Sequence, residues 1–284
     1  MAEQHVFLDG INYYTLLEQP PPGIQRKNET ILLVHALMSN LHMWDHTVQT
    51  LLREGYTTLR FDHVGHNKTP PPRETEQNFS LHLDDITRHM HSLVLQTTGR
   101  QDLKAVVGCS IGGVLALRYA MLYPRNVAKV ISIAAPGIVC LEAAKPLWTQ
   151  RIAQFRQDLR TGEATLAEAT VNRWFPHHLP SDDAVRAEAL QQVQTCSLEG
   201  YGLLADAIRN YDYADEVRGI LGQEVGVLIV AGSEDSSVSP GLLKDLAGRI
   251  SRARFVRMEG AGHLPPMQRA GEFEGVVLMP FLAG

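Results

Sequence analysis

Three residues in this chain, Ser110, Asp235 and His263, have the types and the order that nucleophilic acyl transfer requires. Ser110 lies in Gly108-Cys109-Ser110-Ile111-Gly112-Gly113, between the apolar run Ala105-Val106-Val107 and the helical pattern Val114 to Ala120. A serine hydroxyl attacks a carbonyl only when a base removes its proton and the backbone aims it outward. The Gly-x-Ser-x-Gly spacing supplies the second condition, a sharp strand-to-helix turn. Asp235 closes Ala231-Gly232-Ser233-Glu234-Asp235, just past an apolar run that starts at Val225, and Glu234 beside it is a second candidate acid. His263 closes Gly260-Ala261-Gly262-His263, just past the run that starts at Ala253. In the order Ser, Asp, His, the histidine takes the serine proton and returns it to the leaving group. The carboxylate fixes the imidazole tautomer and stabilises the imidazolium.

The tetrahedral oxyanion needs two N–H donors. The Ile111 amide, at the start of the helix after the serine, is one. The segment His35-Ala36-Leu37, at the end of Thr30-Ile31-Leu32-Leu33-Val34, is placed to give the other from the Leu37 amide. The His35 side chain itself reads as a buried imidazole satisfied locally.

These groups need a frame that brings strand ends together. Thr30 to Val34, Leu103 to Gly108, Val127 to Ala134 and Val225 to Ala231 are continuous apolar runs, which a strand buried on both faces produces. They alternate with helical patterns at Met43 to Arg53, Leu81 to Leu95, Ile111 to Tyr123, Pro240 to Ile250 and Gly271 to Phe281. Asp9-Gly10 predicts a hairpin turn near the start. The fold class is therefore α/β: a mostly parallel central sheet with helices on both faces and catalytic groups at the carboxyl ends of its strands. From about Gly137 to Leu221 the alternation breaks into helical patterning with scattered aromatics, too long for an ordinary crossover. The expected organisation is a core of residues 1–136 and 222–284 with an inserted helical lid over 137–221.

Composition narrows the partners. The chain has 284 residues, 44% hydrophobic and 20% charged, with net charge −5, which is ordinary globular composition and gives no reason to expect nucleic acid or an acidic membrane. No apolar run approaches the ~20 residues of a membrane helix, and the N-terminus carries no basic and apolar leader pattern. Cys109, Cys140 and Cys196 form no disulfide or zinc pattern. The expected protein is cytoplasmic and uses no cofactor and no metal. His42 and His46 share a helix face but lack the His-Glu-x-x-His pattern, so they read as surface or packing residues.

Taken with Leu33-Val34-His35-Ala36-Leu37, Asp62-His63-Val64-Gly65-His66 and Gly260-Ala261-Gly262-His263-Leu264-Pro265-Pro266, the motifs resemble the α/β-hydrolase superfamily over the whole chain. Within it, Asn172-Arg173-Trp174-Phe175-Pro176 and Ala207 to Tyr213 resemble the lid of the 3-oxoadipate enol-lactonase branch. The proline-rich loops, Cys109 and the aromatic lid are similar to fungal enzymes that release or cyclise polyketide acyl chains. The family commonly has His-Gly where this chain has His35-Ala36. It commonly has Asp-x-Arg-Gly-His-Gly-x-Ser where Val64 replaces the Arg, Asn67 the Gly and Thr69 the Ser. Asparagine tolerates positive φ, so the loop shape at Asn67 is expected to persist.

The resemblance implies an esterase, thioesterase or lactonase acting on a small-molecule acyl substrate, free or held by a carrier protein. The same triad serves an intramolecular lactone-forming cyclase or an enol-lactonase, and a hydrolase-derived ligand receptor can retain it. Trp148, Trp174 and Arg151 are the expected substrate contacts. The two tryptophans would line an apolar acyl pocket, and Arg151 with Arg173 would form a carboxylate clamp if the lid has one.

Overall fold

The computed structural model describes residues 1–72, 79–176, 179–217 and 225–284. Eight strands form one sheet: β1 (Ala2–Leu8), β2 (Ile11–Glu18), β3 (Thr30–Val34), β4 (Thr57–Phe61), β5 (Leu103–Cys109), β6 (Val127–Ile133), β7 (Gly226–Gly232) and β8 (Arg254–Met258). Their order is β1-β2-β4-β3-β5-β6-β7-β8, antiparallel at the first two pairings and parallel across the remaining five. The β1–β2 turn is Asp9-Gly10 with φ 43° and 84°, the positive pair that a two-residue hairpin needs.

β3 is buried at every position, and its neighbour β5 at all but Lys104, as their continuous apolar sequences require. Register aligns the strand ends: Val34 pairs with Gly108, Cys109 with Ile133, and Gly232 with Met258. The loops after β3, β5, β7 and β8 therefore open on one edge of the sheet, where the chemistry-bearing residues lie.

Helices cover both faces: α1 (Asp45–Arg53), α2 (Leu83–Thr98) and α3 (Ile111–Leu122) come before β6. In α3 every residue from Ile111 to Ala120 is buried. A helix apolar all round belongs in a core. Its one charge there, Arg118, is met by both oxygens of Asp84 at 2.8 and 2.9 Å and by Glu216. Between β6 and β7 come α4 (Lys145–Thr161), α5 (Thr165–Trp174), α6 (Asp183–Val193) and α7 (Leu198–Arg209), then α8 (Pro240–Arg249) precedes β8. The expected insertion boundary at 221/222 falls outside the described residues.

The C-terminal helix departs from the uninterrupted run expected near Gly271 to Phe281. Short helices at Pro265–Gln268 and Ala270–Glu272 lead into a π-helical turn, Phe273–Leu278, and a last turn, Met279–Ala283. Arg269 sits at φ −132°, outside the helical region, and Pro280 brings no N–H to the ladder and crowds the carbonyl four residues back.

Candidate active site

Ser110 stands between β5 and α3 at φ 57°, ψ −119°, a conformation that a non-glycine residue holds only when its surroundings impose it. The constraint is visible on both sides. A Cβ on Gly108 would overlap the Gly112 carbonyl, and one on Gly112 would overlap the Val34 carbonyl. Strand, helix and β3 can converge here only without side chains, which is why the elbow carries glycine at both places.

Asp235 and His263 meet at the ends of β7 and β8. His263 Nδ1 and Asp235 Oδ2 are 2.8 Å apart, both residues buried. The other carboxylate oxygen, Oδ1, accepts from the backbone N–H of Ser237 at 2.7 Å and of Val238 at 3.1 Å. The turn so formed aims Oδ2 at the imidazole. Of the two adjacent acids, it is Asp235 that touches His263; Glu234 accepts from the Ser233 hydroxyl at 3.1 Å. The His263 backbone is held as well. Its N–H donates to the Trp174 carbonyl at 2.8 Å, and its own carbonyl receives the Cys109 thiol at 3.6 Å. A Cβ on Gly262 would overlap that same Trp174 carbonyl. Burial, and secondarily Asp235, push the Cys109 thiol well above its ordinary range, so Cys109 packs as a neutral residue.

Ser110, Ile111, Leu37 and His263 line one cavity of about 280 Å³, roofed by α4, α5 and α7. Trp148, Trp174 and Arg151, the expected contacts, all line it. So do Arg173, Tyr201 and Ile208. Among the described residues, no protein group accepts from the Leu37 or Ile111 N–H. A larger cleft of about 490 Å³ adjoins at Pro136, between Gly137–Val139 and α8, but its described lining includes no histidine. The helix-face pair is occupied elsewhere: His42 Nδ1 lies 3.0 Å from Asp45, and His46 Nδ1 lies 2.7 Å from Glu274.

Sequence reasoning did not identify His66 as part of the loop that presents Leu37. Met38, at φ 67°, donates its N–H to His66 Nε2 at 3.0 Å, and His66 Nδ1 then donates to the Val64 carbonyl at 2.9 Å. His35 and His63 behave alike: His35 Nε2 accepts the His63 N–H at 2.8 Å, and His63 Nε2 donates to the His35 carbonyl at 3.1 Å. Asn67, at φ 45°, keeps the loop turn expected of it, and its amide reaches Asp62 at 2.9 Å.

The three buried imidazoles are neutral, and this sets a pH dependence. Burial pushes His63 down to about 3 and His66 to about 4, and burial with its two imidazole neighbours holds His35 well below its ordinary value. Asp62 has the opposite sign, since burial lifts it to about 6. Histidines in the unfolded chain protonate near pH 6.5, so their stabilisation is full above that value and is lost as pH falls. Between pH 7 and 5 the unfolded chain gains about two protons, spread over the three histidines, that the native state refuses, and the native state gains about one at Asp62. The expected loss is on the order of 4 kcal/mol, read from urea midpoints at pH 7, 6 and 5. A midpoint unchanged over that range would contradict it.

A protein-family model described as the alpha/beta hydrolase fold matches residues 29–270. The chain belongs to the α/β-hydrolase family. It is a hydrolase of the α/β fold. It is similar in structure to the enol-lactonase from Burkholderia xenovorans LB400, with TM-score 0.84 at 22% identity, covering 99% of this chain and 100% of that one. In sequence it is 24% identical to a pimeloyl (acyl-carrier protein) methyl ester esterase of Neisseria meningitidis, over 86% of this chain and 89% of that protein. It is 27% identical to a protein of Arabidopsis thaliana named as a probable lysophospholipase, BODYGUARD 4, over 40% of this chain. That match spans about a quarter of the plant protein, 26% of its length. Among the described residues, no helix of this α/β-hydrolase is long and apolar enough to cross a membrane.

Proposed function

We propose that this α/β-hydrolase is a serine esterase, thioesterase or lactonase that works through an acyl-enzyme on Ser110. The observation that carries the reading is the Asp235–His263 contact of 2.8 Å beside a cavity that also contains a strained Ser110. His263 removes the Ser110 proton as the hydroxyl attacks the carbonyl. The Leu37 and Ile111 N–H groups receive the oxyanion, and His263 returns the proton to the leaving group. Asp235 keeps the Nδ1 proton in place and stabilises the imidazolium. Water then attacks the acyl-enzyme with His263 again as base. Residues 137–221 act as the lid, and the reaction needs no cofactor.

Cavity size bears on the acyl chain. About 280 Å³ lies just below the ~300–1,000 Å³ range of small-molecule sites, which suits a medium-length, polyketide-like acyl group better than a long lipid. Leu147, Trp148, Trp174, Ile208 and Val238 supply apolar wall for its stem. Each buried methylene contributes ~0.8 kcal/mol. In a series of p-nitrophenyl or N-acetylcysteamine esters, medium neutral chains are expected to exceed acetate by at least about tenfold in kcat/KM, which needs only about 1.4 kcal/mol. Trp148→Ala and Trp174→Ala should erode that preference more than they lower acetate turnover. Equal rates along the series would reject the acyl-pocket reading.

A further inference from the structure

The lining of the Ser110 cavity is electrostatically one-sided. Arg151, from α4, and Arg173, from α5, both line it, and among its described lining residues there is no aspartate or glutamate. Two other buried arginines, Arg118 and Arg60, are each met by acids. Arg118 is held by Asp84 and Glu216, and Arg60 by Glu18 at 2.9 and 3.0 Å and by Asp45. Arg173 instead donates to the Thr170 hydroxyl at 3.1 Å, a neutral partner, while the Arg151 guanidinium lies 5.0 Å from the centre of the Trp148 ring. The two charges feel each other. Burial first, and then Arg151, bring Arg173 down to about 10 against the opposing pull of Tyr201 and Asp235, so it is still protonated at neutral pH. Tyr201, from α7 and also in the lining, is raised to about 12 by burial against the opposing pull of both arginines.

The nearby acid, Asp235, is already engaged by His263 and by two backbone N–H groups, and a partly buried cation pair is costly unless a further anion completes it. A guanidinium presents a planar fork matched to a carboxylate, which can accept from two such groups at once. The acid that would neutralise them is absent from the described walls, so it has to arrive with the ligand. We propose that the substrate carries a carboxylate, and that Arg151 and Arg173 grip it while its ester or thioester carbonyl faces Ser110. The apolar wall then contacts the chain between the two ends. This inference rests on the proposed hydrolase role of the site and specifies its substrate class: a half-ester, half-thioester or lactone with a free acid. Arg173 holds its position through Thr170, whose hydroxyl also approaches Met38 Sδ at 3.7 Å, so the grip is tied to the loop that presents Leu37.

Two matched pairs of esters distinguish which side of the scissile bond bears the acid. On the acyl side, mono-p-nitrophenyl glutarate is compared with p-nitrophenyl methyl glutarate. On the leaving side, 4-carboxyphenyl butanoate is compared with its 4-carbamoyl analogue. Within one pair the carboxylate is expected to be preferred by about 10- to 100-fold in kcat/KM, the range of one or two hydrogen bonds to a charged group. That ratio should fall towards one in Arg173→Met and Arg151→Met, and Arg173→Lys should retain part of it. Ratios within about threefold in both pairs, or a preference that survives Arg173→Met, would overturn the proposal. A second measurement is independent of turnover: monomethyl glutarate titrated into Ser110→Ala, followed by tryptophan fluorescence. Binding there that is weakened at least about tenfold by Arg173→Met supports the grip even if no ester is cleaved, and in that case the hydrolase reading is the one that fails. Cleavage of the neutral esters, with neither preference nor binding for the acids, would leave the hydrolase reading in place and remove the grip.

Discussion

Ser110→Ala is expected to abolish turnover, by on the order of 10⁴ to 10⁶ in kcat, while leaving the fold intact. In the proposed mechanism the hydroxyl oxygen forms the covalent bond to the acyl group, and no other side chain at the elbow can replace it. Cys109, next in sequence, is buried with its sulfur on the His263 carbonyl. The variant keeps the Cβ, so the backbone at φ 57° bears the same strain before and after the change. A fluorophosphonate should label the wild-type protein stoichiometrically at Ser110 and the variant not at all, with the two proteins melting at similar temperatures. Retention of more than a few per cent of activity would show that the nucleophile lies elsewhere. A wild-type protein that takes no label and turns over no ester would fit a ligand receptor of hydrolase ancestry.

The second large effect separates two adjacent acids. Asp235→Asn is expected to cost about 10⁴ in kcat. The structure gives the reason in more detail than loss of charge. Oδ1 of Asp235 accepts from the N–H groups of Ser237 and Val238, so an asparagine would keep its amide oxygen there. Its NH₂ would then face His263 Nδ1 and force that nitrogen to become an acceptor. The ring proton moves to Nε2, and the imidazole can no longer take the Ser110 proton. Glu234→Gln, whose carboxylate meets the Ser233 hydroxyl, should stay within about tenfold of wild type. Comparison of kcat/KM for the two variants decides it, and a larger loss at Glu234 would reverse the assignment.

Much of the frame was legible because strands covered on both faces leave uninterrupted apolar runs, as in Thr30 to Val34, and because the glycines flanking Ser110 have a steric cause. The sequence favoured Asp235 by its place in the motif but left Glu234 as an alternative. Both lie in one turn, and the decision comes from two backbone N–H groups that only the folded turn directs at Asp235. The link from His66 to Met38 was hidden for a similar reason: it joins residues 28 positions apart through a backbone donor, which leaves no periodicity. The arginines were visible as residue types, but that no aspartate or glutamate stands among the described lining residues is a property of the packed cavity. The π-helical turn Phe273–Leu278, inside the helix expected near Gly271 to Phe281, was also missed.

The bond from the His263 N–H to the Trp174 carbonyl has a consequence for anyone reshaping this protein. The proposed lid looks like a cassette that could be traded between relatives to import a new preference. Yet its Trp174 peptide is a fixed brace for the loop bearing the base, and Gly262 is pressed against the same carbonyl. A transplanted lid that alters the backbone course at position 174 would loosen the histidine as well as change the pocket, and the chimera would be slow on every substrate, old or new. Recombination should therefore cut inside the insertion, retaining residues 174–176 and exchanging α4 and α7, so that selectivity can drift without disturbing the machinery beneath it.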